Sequence, residues 1–172
     1  NVTNRLAEGS RKMSNFERKW QQVFIKAIGH PLQRAVASVH GFEGRIPNEP
    51  PLCLWLYFER LPVIRLYGAS DGEQLKVDHA RPLAIDMGKY GELLLRDASK
   101  IPVIQQVLGN PLKAVWLVKS PPDSRIIGVR LDFGLAIKPI ILNWGDELYV
   151  GEEFPIDAEW EKFSEVALLH ES

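Results

Sequence analysis

The segment IGHPLQ at residues 28–33 governs the interpretation of this chain, because a close variant, LGNPLK, stands at residues 108–113. Three later segments recur in the same order, and the interval between the copies falls from 80 residues for the first pair to 73 for the last. Recurrence of several segments in order indicates a repeated structural unit. The sequence therefore predicts an internal duplication, the alternative being a generic β-hairpin pattern that occurs twice by chance. The further matched pairs are LYF at 56–58 with LDF at 131–133, VIRL at 63–66 with IIL at 140–142, and GEQLKV at 72–77 with GDELYV at 145–150.

Each copy of the opening segment ends a predicted helix. In the first half, Ser14 is placed to cap the helix, Glu17 completes a capping box, and Gly29 ends the helix. In the second half, Ser99 is placed as the cap and Gly109 ends the helix. Both halves are thus predicted to begin with a short helix and a glycine stop.

Four short runs of β-branched and aromatic residues follow each predicted helix. Short connections between such runs join antiparallel neighbours, so each half is predicted to form a β-meander. The runs lie at 35–39, 52–58, 63–67 and 75–77 in the first half, and at 114–118, 126–133, 137–142 and 148–150 in the second.

One meander with one helix is too small to be stable alone, so the two units are expected to share one core. The predicted fold class is α+β, with duplicated helix-plus-meander units over about 14–78 and 99–151 related by an approximate two-fold. Residues 83–95 are predicted to add a strand or short hairpin, and residues 158–169 a C-terminal helix. The side chains expected to be mostly buried are Trp20, Phe24, Leu54, Leu56, Phe58, Trp116, Leu131 and Phe133.

Composition limits the class of protein. The chain has 172 residues, of which 45% are hydrophobic and 25% charged, as in ordinary globular proteins. This length fits one domain, placed at residues 13–172, with residues 1–12 as an N-terminal extension or cloning remnant. A net charge of -1 disfavours a dedicated nucleic-acid binder, which is usually basic. The single cysteine, Cys53, fits a reducing cytoplasm, and no apolar run is long enough to span a membrane, so we expect a cytoplasmic protein.

Catalytic signatures are missing from the sequence. DFG at residues 132–134 spells the magnesium motif of kinases, but the glycine-rich and catalytic loops of a kinase are absent, and Phe133 matches Phe58 in the repeat. The four histidines are scattered, with no partners at metal-ligand spacing. We therefore expect a non-enzymatic protein without cofactor or metal. A small enzyme with a dispersed site, or a structural or adaptor module of a larger assembly, is the alternative.

Charge is unevenly distributed along the chain. Residues 143–172 contain nine acidic residues and one cation, whereas residues 1–34 contain seven cations and two acidic residues. A solvated acidic face is one interpretation, and an acidic docking surface that attracts a basic protein partner is the sharper one. Trp144, in the predicted turn of the last hairpin, is a candidate contact anchor. The candidate acidic contacts, expected to converge on one exposed patch, are Glu147, Glu152, Glu153, Asp157 and Glu159.

The segments 128–133 and 145–150, with a weaker echo at 54–58 and 72–77, carry a resemblance to a known group of proteins. Their pattern resembles bacterial immunity proteins, the small cytoplasmic partners of polymorphic toxins that include contact-dependent inhibition toxins. This resemblance implies a non-enzymatic inhibitor that binds one cognate toxin domain, often a nuclease. Because toxin-binding residues in such proteins vary from pair to pair, it assigns no contact residue. It implies neither a nucleic-acid partner nor a membrane partner.

Overall fold

The computed structural model describes residues 14–43, 49–121, 125–155 and 162–168. Its first helix, α1 (Asn15–Phe24), starts where the capping pattern predicts, because the Ser14 hydroxyl accepts a hydrogen bond of 3.2 Å from the Glu17 N–H. A single 3-10 turn, Ile25–Ala27, continues the helix. Gly29 then takes a φ of 87°, a left-handed conformation that glycine adopts without steric cost.

Six antiparallel strands form the first sheet, in the order β4-β3-β2-β1-β6-β5. The first four are the predicted meander, and β5 and β6 form the hairpin predicted between the halves, joined by a 3-10 turn at Gly88–Tyr90. The strands are β1 (Leu32–Gly41), β2 (Cys53–Phe58), β3 (Ile64–Gly68), β4 (Leu75–Asp78), β5 (Ile85–Asp86) and β6 (Glu92–Asp97).

The second helix, α2 (Pro102–Gln105), is a single turn that ends before Gly109, where φ is 78°. Proline occupies its first turn, where the missing N–H costs nothing. The prediction that Ser99 caps this helix is wrong. The Ser99 hydroxyl instead accepts from the Ala35 N–H at 2.8 Å and extends the pairing of β1 beyond the end of β6.

Five antiparallel strands form the second sheet, in the order β10-β9-β8-β7-β11. Its first four strands are again a meander. Two antiparallel sheets and few helices place the chain in the predicted α+β class. The strands are β7 (Ala114–Ser120), β8 (Arg125–Asp132), β9 (Ile140–Trp144), β10 (Glu147–Gly151) and β11 (Ser164–Ala167).

Strand β11 corrects the prediction of a C-terminal helix over 158–169. Residues 164–167 pair with β7, which leaves them extended, and Leu168 N–H donates to the Val115 carbonyl at 2.8 Å. The helical spacing of apolar residues therefore gave way to pairing with an open sheet edge. Residues 156–161 lie outside the described residues.

The core lies between the two sheets and contains side chains from both halves. Of the predicted core residues, seven are buried, and Trp116 is only half-buried because it faces away from the core. Lys119 is 2% exposed and forms an ion pair with Glu17 of α1, which joins the second sheet to the first helix. Among the described residues, no helix is long and apolar enough to cross a membrane.

The matched segments contact each other through reciprocal hydrogen bonds. Gly29 N–H donates to the Leu112 carbonyl at 2.7 Å, and Gly109 N–H donates to the Leu32 carbonyl at 2.8 Å. Pro31 and Pro111 form a bridge between the two segments. Reciprocal contacts of this kind are expected where two equivalent units meet near a two-fold axis. They agree with a duplication, which itself stays a prediction.

Residues 79–84, called the strap below, connect β4 at one edge of the first sheet to β5 at the other. The strap lies on the sheet face that points away from the core. There the indole N–H of Trp55 donates to the Ala80 carbonyl at 2.8 Å. This contact leaves Trp55 only 4% exposed although it faces outward.

Candidate functional site

The predicted acidic contacts flank β10, an edge strand of the second sheet. Glu147 begins the strand, and Glu152 and Glu153 follow its end; all three are exposed. Strand β10 rises by about 3.3 Å per residue and separates Glu147 from the two acids that follow it. The three described carboxylates thus lie at the two ends of one edge strand, and their convergence on one patch stays a prediction. Asp157 and Glu159 lie outside the described residues.

Trp144, the predicted contact anchor, is half-buried. It is paired with Glu147 across the β9–β10 hairpin, so both side chains are on the outer face of the second sheet. Its ring meets that of Phe163 edge-to-face, with centroids 6.2 Å apart. One side of the indole therefore covers the sheet, and the other borders an open groove.

That groove, called the acidic groove below, has a volume of about 340 Å³ and lies between β10 and the segment leading into β2. Leu148 N–H donates to the Pro51 carbonyl at 2.8 Å, which fixes this segment against the free edge of β10. Arg96 also lines the groove, and its guanidinium donates to the Glu49 carbonyl oxygen at 2.9 Å. Two carboxylates, of Glu49 and Glu147, and two aromatic side chains, Trp144 and Tyr149, also line the groove.

The segment after β10 is fixed over the outer face of the second sheet. Tyr149 donates from its hydroxyl to the Glu153 carbonyl at 2.5 Å. Arg130 donates to the Glu165 carboxylate at 2.5 Å, and its guanidinium lies 5.6 Å from the centre of the Phe154 ring. These contacts hold the backbone that carries Glu152 and Glu153 in place and leave their side chains exposed.

The outer face of the first sheet carries an ion pair. Arg65 on β3 donates to both carboxylate oxygens of Asp78 on β4, at 2.8 and 2.5 Å. Burial acts to raise the pKa of Asp78, but the hydrogen bonds from Arg65 and the Ala80 N–H outweigh it, so the pKa is lowered.

Burial raises the pKa of the nearby Cys53 thiol, which favours the neutral form over a reactive thiolate.

Large apolar side chains are exposed at one corner of the first sheet, called the apolar corner below. Phe42 packs edge-to-face against His40, with ring centroids 5.2 Å apart, and the His40 ring nitrogen contacts the Tyr90 carbonyl at 2.7 Å. Leu83 and Ile85 precede and begin β5, in the same region. The four exposed side chains of the corner are 54%, 68%, 44% and 67% accessible in Phe42, Leu83, Ile85 and Tyr90.

The residues of the kinase-like DFG segment have structural roles, in a turn and in the core. Asp132 accepts a hydrogen bond of 2.7 Å from the Gly134 N–H, and Phe133 is buried in the core. Across the described ranges, no three His, Cys, Asp or Glu residues are grouped so that they can hold a metal ion.

The sequence pattern predicted Glu147, Trp144 and the acids after β10 as candidate contacts, but it did not predict Glu49 or the apolar corner. Glu49 reaches the acidic groove only because a segment distant in sequence folds against β10, and no local pattern announces such a contact. The apolar corner had a faint signal, since Leu83 and Ile85 alternate with small or polar residues in a run otherwise hard to place.

No family model, curated protein or solved structure matches this chain.

Proposed function

We propose that this chain is a non-enzymatic binding protein of the immunity type, which neutralises a cognate bacterial toxin domain by direct contact. The observation that carries the proposal is the acidic groove, where the carboxylates of Glu49 and Glu147 stand beside the rings of Trp144 and Tyr149. Interfaces that bind tightly concentrate their energy in aromatic residues set in pockets and surrounded by polar groups.

The groove suits a cationic side chain of the partner. Lysine or arginine entering it meets carboxylates for pairing and aromatic faces for cation–π contact. Arg96 limits the net negative charge of the groove, and its bond to the Glu49 carbonyl directs its guanidinium to the groove wall. A basic nuclease domain, whose own substrate is polyanionic, has the surface charge that this groove and the exposed acids after β10 complement.

Mixing the chain with the toxin domain encoded beside its gene tests the proposal. We expect a one-to-one complex by size-exclusion chromatography and loss of toxicity in cells that co-express both proteins. Glu147→Lys should weaken the complex by about tenfold or more, the order expected when a close charge pair is reversed. Glu43→Lys is the matched control, because Glu43 is also exposed and its reversal changes the net charge equally. Equal affinities of the two variants would overturn the assignment of the groove.

The apolar corner favours a second candidate, a module that docks into a larger assembly. A cluster of large exposed apolar side chains on one edge of a sheet is typical of protein contact sites. If the chain is such a module, the double substitution Phe42→Ser with Leu83→Ser should abolish assembly. Neither the wild-type chain nor the variant should then neutralise the toxin. Neutralisation that survives this double substitution favours the immunity function.

A further inference from the structure

We propose that the outer face of the first sheet holds a second site, which binds a carboxylate attached to an apolar body. The site is a groove of about 480 Å³ between the strap and the adjoining ends of β1, β2 and β6. It shares Arg96 with the acidic groove but has its own lining on the outer face of the first sheet, and the inference does not rest on the function proposed above. Its volume is in the range of small-molecule and peptide-terminus sites.

Two arginines line this site. One is Arg96, whose guanidinium donates to the Glu49 carbonyl, and the other is Arg34. Its guanidinium lies over the Tyr57 ring, 4.2 Å from the ring centre, on the neighbouring strand. Stacking of this kind restricts the side chain before any ligand arrives, which lowers the entropic cost of binding. The planar fork of donors is then presented to solvent in a geometry that matches a carboxylate.

Other polar groups of the groove are already engaged. The Asp97 carboxylate accepts from the Ser99 N–H at 2.9 Å, and its pKa is lowered by the backbone and side-chain hydrogen bonds of Ser99. The Ser99 hydroxyl is bonded to the backbone of Ala35. Within the part of the chain that the structure describes, nothing accepts a hydrogen bond from the Arg34 guanidinium. Arg34, whose charge also acts on the Asp97 carboxylate, is therefore the group of this site whose hydrogen-bond donors are left to bind a ligand.

The surroundings select the kind of anion. Val36, Leu95 and Pro82 line the groove beside Arg34, so the ligand needs an apolar portion to displace water from them. Asp97 is on the strand next to Arg34, and its negative charge disfavours a dianion such as a phosphate monoester. A monoanionic carboxylate with an aliphatic or aromatic body satisfies both conditions. It can be a free acid or the C-terminus of a peptide.

Titration of the isotope-labelled full chain, followed by ¹H–¹⁵N correlation spectra, tests the site. The probes are 3-phenylpropionate with its neutral amide as control, and an N-acetylated tripeptide ending in phenylalanine as the acid and as the C-terminal amide. We expect the acids to shift the amide signals of residues 34–36, 57 and 97–99, and each neutral amide to bind about tenfold or more weakly, as the loss of a charge-assisted hydrogen-bond pair implies. Binding by 3-phenylpropionate alone identifies a free acid as the ligand, and binding by the tripeptide acid identifies a chain terminus.

Variants locate the effect. Arg34→Gln should abolish the acid-dependent shifts, and Arg34→Lys should retain only part of the affinity, because lysine lacks the bidentate fork. Arg18→Gln, at an exposed arginine on α1, should change nothing. Acid and amide probes that bind wild type equally, shifts confined to other residues, or undiminished binding by Arg34→Gln would each overturn the proposal. The comparison of acid with amide uses the wild-type chain, so it decides the question even where a variant does not fold.

Discussion

Phe58 and Phe133 stack at the centre of the core, with ring centroids 6.5 Å apart and ring planes within 9° of parallel. They come from the matched segments of the two halves: Phe58 ends β2, and Phe133 directly follows β8. Each is 2% exposed. The pair therefore joins the two sheets with one contact between positions that the sequence pattern matches.

Truncating either ring should destabilise the protein strongly. Phe58→Ala or Phe133→Ala is expected to lower the free energy of unfolding by about 3–5 kcal/mol, because each leaves a cavity and removes a stacking partner. Urea unfolding followed by circular dichroism measures the change. Phe42→Ala, at a ring that is 54% exposed, is the control and should cost much less. A loss below about 1 kcal/mol at both core positions would remove the pair from the stabilising core.

The ion pair between Glu17 and Lys119 should be costly to break and inexpensive to replace. Glu17→Gln is expected to destabilise the fold by about 3 kcal/mol, because it leaves a buried ammonium without its carboxylate. Combining it with Lys119→Met should recover most of that loss, since a buried apolar side chain needs no counter-charge. Thermal unfolding of the single and double variants measures both effects. A double variant less stable than Glu17→Gln would contradict this account.

Acid should weaken the contact between β3 and β4 through Asp78. Because the folded-state pKa of Asp78 is lowered from its ordinary value of 3.8, its contribution to stability is present above that value. The contribution is lost as pH falls below it, where the folded state must take up a proton. Asp78→Asn should therefore be less stable than wild type at neutral pH, and the difference should shrink towards about pH 2. Urea unfolding across this range provides the measurement, and a difference that is constant with pH is the contrary result.

Salt should slow association with the partner if the acids after β10 steer it. Reversing Glu152 and Glu153 to lysine is expected to reduce the association rate by about tenfold at low ionic strength and to leave the fold intact. Raising the salt concentration should reduce the difference between wild type and variant, because screening acts on exposed charges. Surface plasmon resonance at several salt concentrations measures both rates. Unchanged association, or binding through the basic helix α1, would end the hypothesis of an acidic docking face.

The duplication makes a geometric prediction for an experimental structure. Superposing residues 14–78 on 99–151 should place Pro31 on Pro111 and Phe58 on Phe133. Alignment of these residues with non-equivalent elements would show that the matched segments are a chance recurrence of hairpin patterning.

Sequence patterns reached the fold class, α1 with its Ser14 cap, and both meanders, because these depend on local periodicity and turn residues. They failed at Ser99 and at residues 164–167, where long-range pairing overrides a local preference. Ser99 serves as a helix cap only if its hydroxyl is free, and β1 engages it. Residues 164–167 lie along the open edge of β7, and a β-strand there pairs backbone groups of β7 that a helix would leave unpaired.

The candidate site could be predicted only in part, because it too depends on contacts between segments far apart in the chain. An excess of acids is visible in composition, so Glu147, Glu152 and Glu153 could be chosen before the structure was known. Their spacing along a strand follows from where β10 begins and ends, at boundaries that sequence patterns locate poorly. Glu49 and Arg34 acquire their surroundings from segments far away in the chain.

The length of the strap limits how flat the first sheet can be. In a flat sheet, the path from Asp78 to Ile85 crosses five inter-strand spacings and shifts by four residues along the strands, a distance of about 27 Å. Seven residue steps reach at most about 25 Å. The strap is therefore close to its full reach, and the first sheet, on the face that carries Arg34 and Tyr57, has to depart from flatness for the two ends to be joined. One residue more in this connection would remove the limit, whereas a connection one residue shorter would have to shorten β4 or β5.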